Sequence, residues 1–363
     1  MQLTQVDSYI QDVRSVAEMP FSWVSLQGTT ILISGGTGMI GRFLIDVLMY
    51  RNQNFGMACK ILCIGRDQNK CNLYFSKYCK NEYFEFIQCS VNNVIPLSVP
   101  KVDYIFHLAS NTHPIAYANH PIETILTNIL GLRNLLDAAS SMQTKRFIFA
   151  STVEVYGENR GDVEKFTEEY SGILDCNSLR AGYPESKRAG EALCQAYIKE
   201  KQLDIVIPRL ARTFGPTMLF SDSKASSQFI NKALAGENIV LKSAGTQFYS
   251  YTYVADAVSG ILEVFFKGKK GEAYNIADEN FDIHLRDLAA IVAEYVEKKV
   301  VFDIPDVNEK LGFSKATKAV MDGTKLHSLG WKPLYSLKEA LHKTIEILFE
   351  YKKANQVPSI PPQ

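Results

Sequence analysis

Tyr183 and Lys187 stand four residues apart in Tyr183-Pro-Glu-Ser-Lys187, at the start of a stretch that continues through Ala189, Leu193 and Ala196 at helical spacing. On a helix that separation puts both side chains on one face. An unperturbed phenol titrates near 10 and is a poor base at neutral pH, but an adjacent ammonium group favours the phenolate. The pair is therefore a candidate for removing the proton of an alcohol during hydride transfer. Pro184 suits a first helical turn, where its missing N–H costs little. Upstream, Thr152 follows a predicted strand in Ser151-Thr-Val-Glu-Val-Tyr-Gly157, where a hydroxyl would orient the substrate oxygen. Taken alone, Tyr-x-x-x-Lys describes many solvated helix faces; its joint occurrence with Thr152 and a nucleotide turn sets it apart.

That turn is Gly35-Gly-Thr-Gly38-Met-Ile-Gly41, between a β-rich run at Thr30–Ser34 and a helical pattern with Ile40, Phe43, Leu44, Val47 and Leu48. Gly35 permits a tight turn, Gly38 lets the backbone approach a pyrophosphate, and Gly41 lets the helix pack closely on the strand. The helix N-terminus supplies aligned N–H groups. Thr37, Met39 and Ile40 complete the cofactor-binding candidates of this segment. Where NAD is bound, the second strand usually ends in an acidic residue that pairs with ribose hydroxyls. Here it ends Ile64-Gly65-Arg66-Asp67. Arg66 suits a 2′-phosphate or adenine stacking, and Asp67 comes late. The expectation is NAD, because the chemistry below regenerates its cofactor, with NADP open.

The elements that position these residues alternate. Strands are predicted at Thr30–Ser34, Lys60–Ile64, Val102–His107, Arg146–Ala150 and Leu203–Ile207, most of them separated by helical stretches. Such alternation implies an α/β fold: a Rossmann-type, doubly wound parallel sheet with helices on both faces. After about residue 210 the pattern loosens. Helices are predicted near Phe229–Leu234, along the stripe Leu285, Leu288, Ala289, Val292 and Val296, and from about 336 to 352. The expected organisation is an amphipathic N-terminal extension at 1–27 (Leu3, Val6, Ile10, Val13 and Ala17 in register), a dinucleotide-binding domain at 28–210 carrying the catalytic residues, a smaller α/β substrate-binding domain at 211–355 that can exchange segments with it, and a frayed tail at 356–363.

Composition excludes several classes of function. Lys plus Arg and Asp plus Glu both number 39, so no global field points to nucleic acid or an anionic membrane. Seven cysteines form no CxxC pair, and no leader-like or membrane-length apolar run stands out, so the expectation is a cytoplasmic protein with free thiols. His107, His113 and His120 are too scattered to argue for a metal; core or solvated histidines are expected, and no metal site.

The turn Gly35–Gly41, Phe106-His-Leu-Ala-Ser110, Thr127-Asn-Ile-Leu-Gly131, Thr152–Gly157, Tyr183–Lys187, Gly215-Pro216, Tyr274-Asn-Ile276 and Leu329-Gly-Trp-Lys-Pro333 together resemble the extended short-chain dehydrogenase/reductases, over residues 29 to about 350. The resemblance is to nucleotide-sugar epimerases, dehydratases and decarboxylases. It implies a tightly bound nicotinamide cofactor contacted also by Leu108, Ala109, Ser110, Tyr183 and Lys187. It further implies transient oxidation at sugar C4 by Thr152, Tyr183 and Lys187, a nucleotide-sugar substrate, and a homodimer built from two helices of each subunit.

Within that family, Glu154 occupies the position where dehydratases and UDP-glucuronate decarboxylases carry Glu. Val153 replaces the Asp that 4,6-dehydratases use as an acid, which disfavours standard dehydration. Decarboxylation asks for less, since oxidising C4 of a uronic acid creates a β-keto acid that loses carbon dioxide without a proton donor to C6. Phe214–Met218 and Asp222–Phe229, with Lys224, are similar to the decarboxylase segment. Two departures stand out: the decarboxylases have Arg at the position of Tyr249 and Asn at that of Arg212. Arg212 is expected to take over a phosphate or carboxylate contact, unless it pairs with a local acid. Substrate-binding candidates are thus Arg212, Lys224 and Tyr249. UDP-glucuronate decarboxylation is the leading expectation; 4-epimerase, 4,6-dehydratase, NADPH-consuming 4-ketoreductase and non-catalytic redox sensor are the alternatives.

Overall fold

The computed structural model describes residues 2–96, 100–110, 120–303 and 317–356. His113 and the tail beyond Gln356 lie outside the described residues. In chain order the strands are β1 (Thr30–Ser34), β2 (Lys60–Gly65), β3 (Phe84–Gln88), β4 (Tyr104–His107), β5 (Arg146–Phe149), β6 (Ser151–Thr152), β7 (Ile205–Leu210), β8 (Arg212–Phe214), β9 (Ile239–Leu241), β10 (Phe248–Tyr253), β11 (Ala273–Ile276), β12 (Asp282–His284), β13 (Val300–Phe302) and β14 (Lys318–Ala319). The helices are α1 (Asp7–Ala17), α2 (Met39–Phe55), α3 (Gln68–Phe75), α4 (Pro121–Met142), α5 (Gly182–Lys201), α6 (Ala225–Leu234), α7 (Val254–Lys267), α8 (Leu285–Tyr295), α9 (Thr324–His327) and α10 (Leu337–Gln356).

The main sheet runs β3-β2-β1-β4-β5-β7-β11 with β6 on β7, every pairing parallel. Its strands are apolar and buried because helices cover both faces; Leu32, Ile61, Ile105 and Phe147 are at most 1% exposed. β1 pairs with β2 on one side and β4 on the other, so the chain changes direction across the sheet there. The crevice beyond the carboxyl ends of such strands is where ligands bind in doubly wound folds. A smaller sheet of β12-β10-β14 with β8, and a β9–β13 pair, stand apart from the main sheet, and β8 brings Arg212 and Thr213 to the far side of the crevice.

Three features of the fold depart from the sequence expectations. Strand β3 was not anticipated, since its exposed Glu85 breaks the apolar run and only Phe84 is fully buried. Beyond residue 210 the chain returns to the main sheet at β11, beside β7, so the small and large sheets share this stretch of chain. The N-terminal stripe departs at one position: Leu3, Val6, Val13 and Ala17 are buried as expected, but Ile10 is half-exposed, and the buried face of α1 also carries Tyr9 and Val16. That face packs on α2 and α7. It brings in Asp12, fully buried, which accepts from the Tyr253 hydroxyl at 2.5 Å and the Tyr335 hydroxyl at 2.6 Å and pairs with Lys343 at 3.1 Å. A buried carboxylate needs such partners, and these fasten the N-terminal helix to the substrate-side half. No helix among the described residues is long and apolar enough to cross a membrane.

Candidate active site

A cleft of about 400 Å³ opens at the carboxyl ends of β1, β2, β4, β5 and β6 and is closed on the far side by Leu210–Thr213, Leu219, Asp222 and Lys224. Its floor is the glycine turn. Gly35 has φ +76°, and a Cβ there would sit 2.6 Å from the Ala109 nitrogen, so a side chain would push the turn off the end of β4. Gly38 caps α2, accepts from Arg42 N–H at 2.9 Å, and would bring its Cβ near nothing but the Gly35 carbonyl. Its outer face is open to the cleft. The close approach assigned from the sequence to Gly41 and the strand is differently made: a Cβ at Gly41 would lie 2.4 Å from the Gly35 oxygen of the turn itself, whereas one at Gly36 would run into Cys63 of β2. This cradle, with the α2 N-terminus behind it and Thr37, Met39, Ile40, Leu108, Ala109 and Ser110 around it, fits a dinucleotide pyrophosphate.

Tyr183 and Lys187 enter the cleft from the first turns of α5, both buried at 7% and 3% exposure. Lys187 Nζ donates to the Ala150 carbonyl at 2.8 Å and lies 4.7 Å from the Phe149 ring centroid. Burial lowers its pKa to about 8, with the Glu191 carboxylate opposing the shift. The α5 start is tied to β4 through a buried relay. Ser110 donates to Asn128 Oδ1 at 2.7 Å, Asn128 Nδ2 donates to Ser186 at 2.8 Å, and Ser186 donates to the Tyr183 carbonyl at 2.9 Å. His107, buried beneath, takes Ser34 on Nδ1 at 2.7 Å and stacks on Phe149; burial depresses its pKa to about 3, so the imidazole is neutral. His120 is exposed at the start of α4.

Thr152 ends β6 opposite Leu210 and accepts from Glu154 N–H at 3.3 Å, which opens the short turn Val153–Tyr156. Thr152, Val153 and the half-buried Glu154 all line the cleft. Arg188 clamps this turn to α5 by donating to the Val155 and Gly172 carbonyls, each at 2.6 Å. Beneath it, Ser151 and Arg209 both bind Glu191, the latter through two nitrogens at 2.6 and 3.0 Å. The catalytic candidates therefore converge, on backbone held from several sides.

The opposite wall is sparser. Arg212 projects from β8 with its guanidinium 3.6 Å above the Tyr249 ring, and its buried Nη1 has no hydrogen-bond partner among the described residues. Arg212 forms no ion pair with an acid among the described residues. Tyr249 is 6% exposed and absent from the cleft lining; it is the platform under Arg212 rather than part of the surface. Lys224 does line the cleft, caps α6, and stands 3.7 Å from the Asp222 carboxylate.

At the other end, Arg66 reaches the cleft and Asp67 does not. The Asp67 carboxylate caps α3, accepting from Asn69 N–H at 2.9 Å and Lys70 N–H at 3.2 Å. Lys70, Cys89, Ser90 and Val91 complete this end, and Thr127 and Thr213 add to the lining; none was named as a site residue from the sequence, although Thr127 opens one of the family motifs. Cys89–Val91 follow β3, and missing that strand hid them. Lys70 carried a signal, being one helical turn after Arg66. Among the described residues no group of three or more His, Cys, Asp or Glu could hold a metal ion.

Residues 31–277 match the family described as NAD dependent epimerase/dehydratase. The chain is 34% identical over 317 residues to UDP-glucuronic acid decarboxylase 6 of Arabidopsis thaliana, covering 86% of each protein. It is 33% identical to UDP-glucuronic acid decarboxylase 1 of Xenopus tropicalis, covering 87% of this chain and 71% of that one. Among solved structures, UDP-glucose 4-epimerase of Thermotoga maritima aligns with a TM-score of 0.76 at 24% identity, over 90% of this chain and 99% of the other.

Proposed function

The chain belongs to the NAD dependent epimerase/dehydratase family, and from that premise we propose that it binds a nicotinamide dinucleotide in the cleft and oxidises the C4 hydroxyl of a nucleotide-linked uronic acid, which then loses carbon dioxide. The nicotinamide supplies the hydride acceptor. Thr152 orients the C4 hydroxyl, Tyr183 takes its proton, and the Lys187 ammonium holds the phenol in its anionic form. Once C4 is a ketone, a carboxylate at C5 is a β-keto acid. The C5–C6 bond breaks, its electrons pass into the enolate, and a proton returns to C5, with Glu154 beside the ring to position it. The C4 ketone then takes back the hydride and the proton held by Tyr183, so that carbon dioxide is the only mass lost.

The observation that carries decarboxylation over dehydration is Val153, an apolar side chain in the cleft between Thr152 and Glu154, where expulsion of a C6 hydroxyl would need an acid. The curated relatives named above support the same choice. On the far wall, the Arg212 nitrogen without a hydrogen-bond partner among the described residues and Lys224 suit the anionic parts of such a substrate, its diphosphate and carboxylate. The test is incubation with UDP-, dTDP-, CDP- and GDP-linked uronic acids and neutral sugars, read by mass spectrometry. Loss of the mass of carbon dioxide from a uronic acid is the expected result; loss of water, or epimerisation without mass change, would replace this reading.

A homodimer belongs to the same proposal. Ile122, Ile125, Leu126 and Leu130 form an apolar stripe on α4, 39–74% exposed and beside α5. Burying it against a second copy would remove that surface from water. Size-exclusion with light scattering would return the dimer mass, and Ile122→Asp/Leu126→Asp the monomer.

A further inference from the structure

The adenosine end of the cleft departs from what an NAD site asks for. NAD sites of this fold pair a carboxylate at the end of the second strand with the ribose hydroxyls. Here the one acid in that position, Asp67, has its carboxylate turned onto the α3 backbone, where it satisfies two N–H groups. In its place two cations face the cleft: Arg66, at the end of β2, and Lys70, one turn into α3. Arg66 is engaged only loosely, with Nη1 3.8 Å from Glu123 and the side chain 64% exposed. Its backbone is fixed, since its carbonyl accepts from Gln88 Nε2 at 3.3 Å. Ser90 adds a hydroxyl to the same end. A guanidinium, an ammonium and a hydroxyl, with the Glu123 carboxylate 3.8 Å from the guanidinium, form a receptor for a phosphate monoester.

We propose that Arg66 and Lys70 bind the 2′-phosphate of the adenosine ribose, so that this chain takes NADP in preference to NAD despite its family. The inference rests on the dinucleotide-binding role given to the cleft above. It changes nothing in the redox step, because the hydride acceptor is the same ring.

The test uses binding alone. Calorimetry on the full-length protein compares adenosine 2′,5′-bisphosphate with AMP, and NADPH with NADH. The expected result is that each 2′-phosphorylated ligand binds about tenfold or more tightly than its partner. The preference falls as salt rises, because both cations are exposed. Arg66→Ala and Lys70→Ala each reduce it, and the double substitution abolishes it. Equal or tighter binding of AMP and NADH, or a preference that survives both substitutions, overturns the inference and leaves the dinucleotide reading standing. Failure of all four ligands to bind overturns both.

Discussion

The two walls of the cleft are built on different principles. On the wall formed by the main sheet and α5, nearly every chemical group is held from more than one side. The Gly35 turn is wedged against Ala109, Lys187 is buried on the Ala150 carbonyl, and the Thr152 turn is clamped by Arg188 and underpinned by Glu191. On the wall formed by β8, Leu219 and the α6 N-terminus, the functional groups are cations with few partners. Arg212 rests on an aromatic ring, and Lys224 stands at 3.7 Å from one carboxylate. The first wall is preorganised for a reaction common to many substrates, where misplacement costs rate. The second presents charge that a ligand must satisfy, and that is where one substrate is told from another.

If the contrast is right, damage to the two walls separates into kcat and KM. The largest effect is expected from Tyr183→Phe, which removes the proton acceptor and nothing else. Turnover should fall by roughly 10³–10⁴, while nicotinamide affinity by fluorescence quenching and the melting temperature stay as in the wild type. Glu154→Gln should come next, with kcat down by about 10² and nucleotide-sugar affinity little changed; product formation at the wild-type rate would take Glu154 out of the chemistry. Arg212→Ala tests the other wall. Losing one charge-assisted hydrogen bond to substrate is worth about 1.5–3 kcal/mol, so KM should rise roughly 10- to 100-fold with kcat far less affected. A drop confined to kcat would mean that Arg212 belongs with the catalytic groups and that the walls are not so divided.

The same division decided how much could be read in the sequence. The turn at Gly35–Gly41, the Tyr183–Lys187 pair and Thr152 are legible because backbone geometry and helical spacing allow few residue types there, and their roles follow from type and position. The central strands are legible because burial on both faces makes them continuous apolar runs. Strand β3 was not, since Glu85 interrupts it, and with it went Cys89, Ser90 and Val91. The small sheet and the β9–β13 pair were obscured because β8, β9, β12 and β13 have only three residues each, too short for any period to show. That Arg212 and Tyr249, 37 positions apart, form one stacked unit is a product of β8 pairing with β10, where Arg212 lies opposite Tyr251. Nothing local to either residue encodes that partnership. Asp67 was uninformative for a related reason, because only the start of α3 shows that its carboxylate serves as a cap.

The catalytic wall also predicts a pH signature. Lys187 titrates at about 8, so below that value the ammonium supports the Tyr183 phenolate, and above it the support is lost. In the free enzyme kcat/KM should therefore decline above about pH 8, approaching tenfold per pH unit. Stability should move the other way. The folded-state value lies below the ordinary 10.5 of lysine, so between about pH 8 and 10.5 the unfolded chain binds the extra proton and this residue's contribution to stability rises with pH. Activity that falls while the melting temperature holds would assign the alkaline limb to Lys187 rather than to unfolding.

The smallest expected effect is the sharpest probe of the specificity wall. Tyr249 touches Arg212 through its ring face, an interaction worth about 0.5–2 kcal/mol depending on how dry the site is. Tyr249→Phe keeps the face and should leave KM within about twofold; Tyr249→Leu keeps much of the volume, removes the face and should raise KM several-fold. If the platform acts only through Arg212, Tyr249→Leu should add nothing in an Arg212→Ala background, because a group that works through another has no effect once its agent is gone. Additive losses in that double-mutant cycle would mean that Tyr249 meets the substrate itself, and the wall would then contain one more contact than its surface reveals.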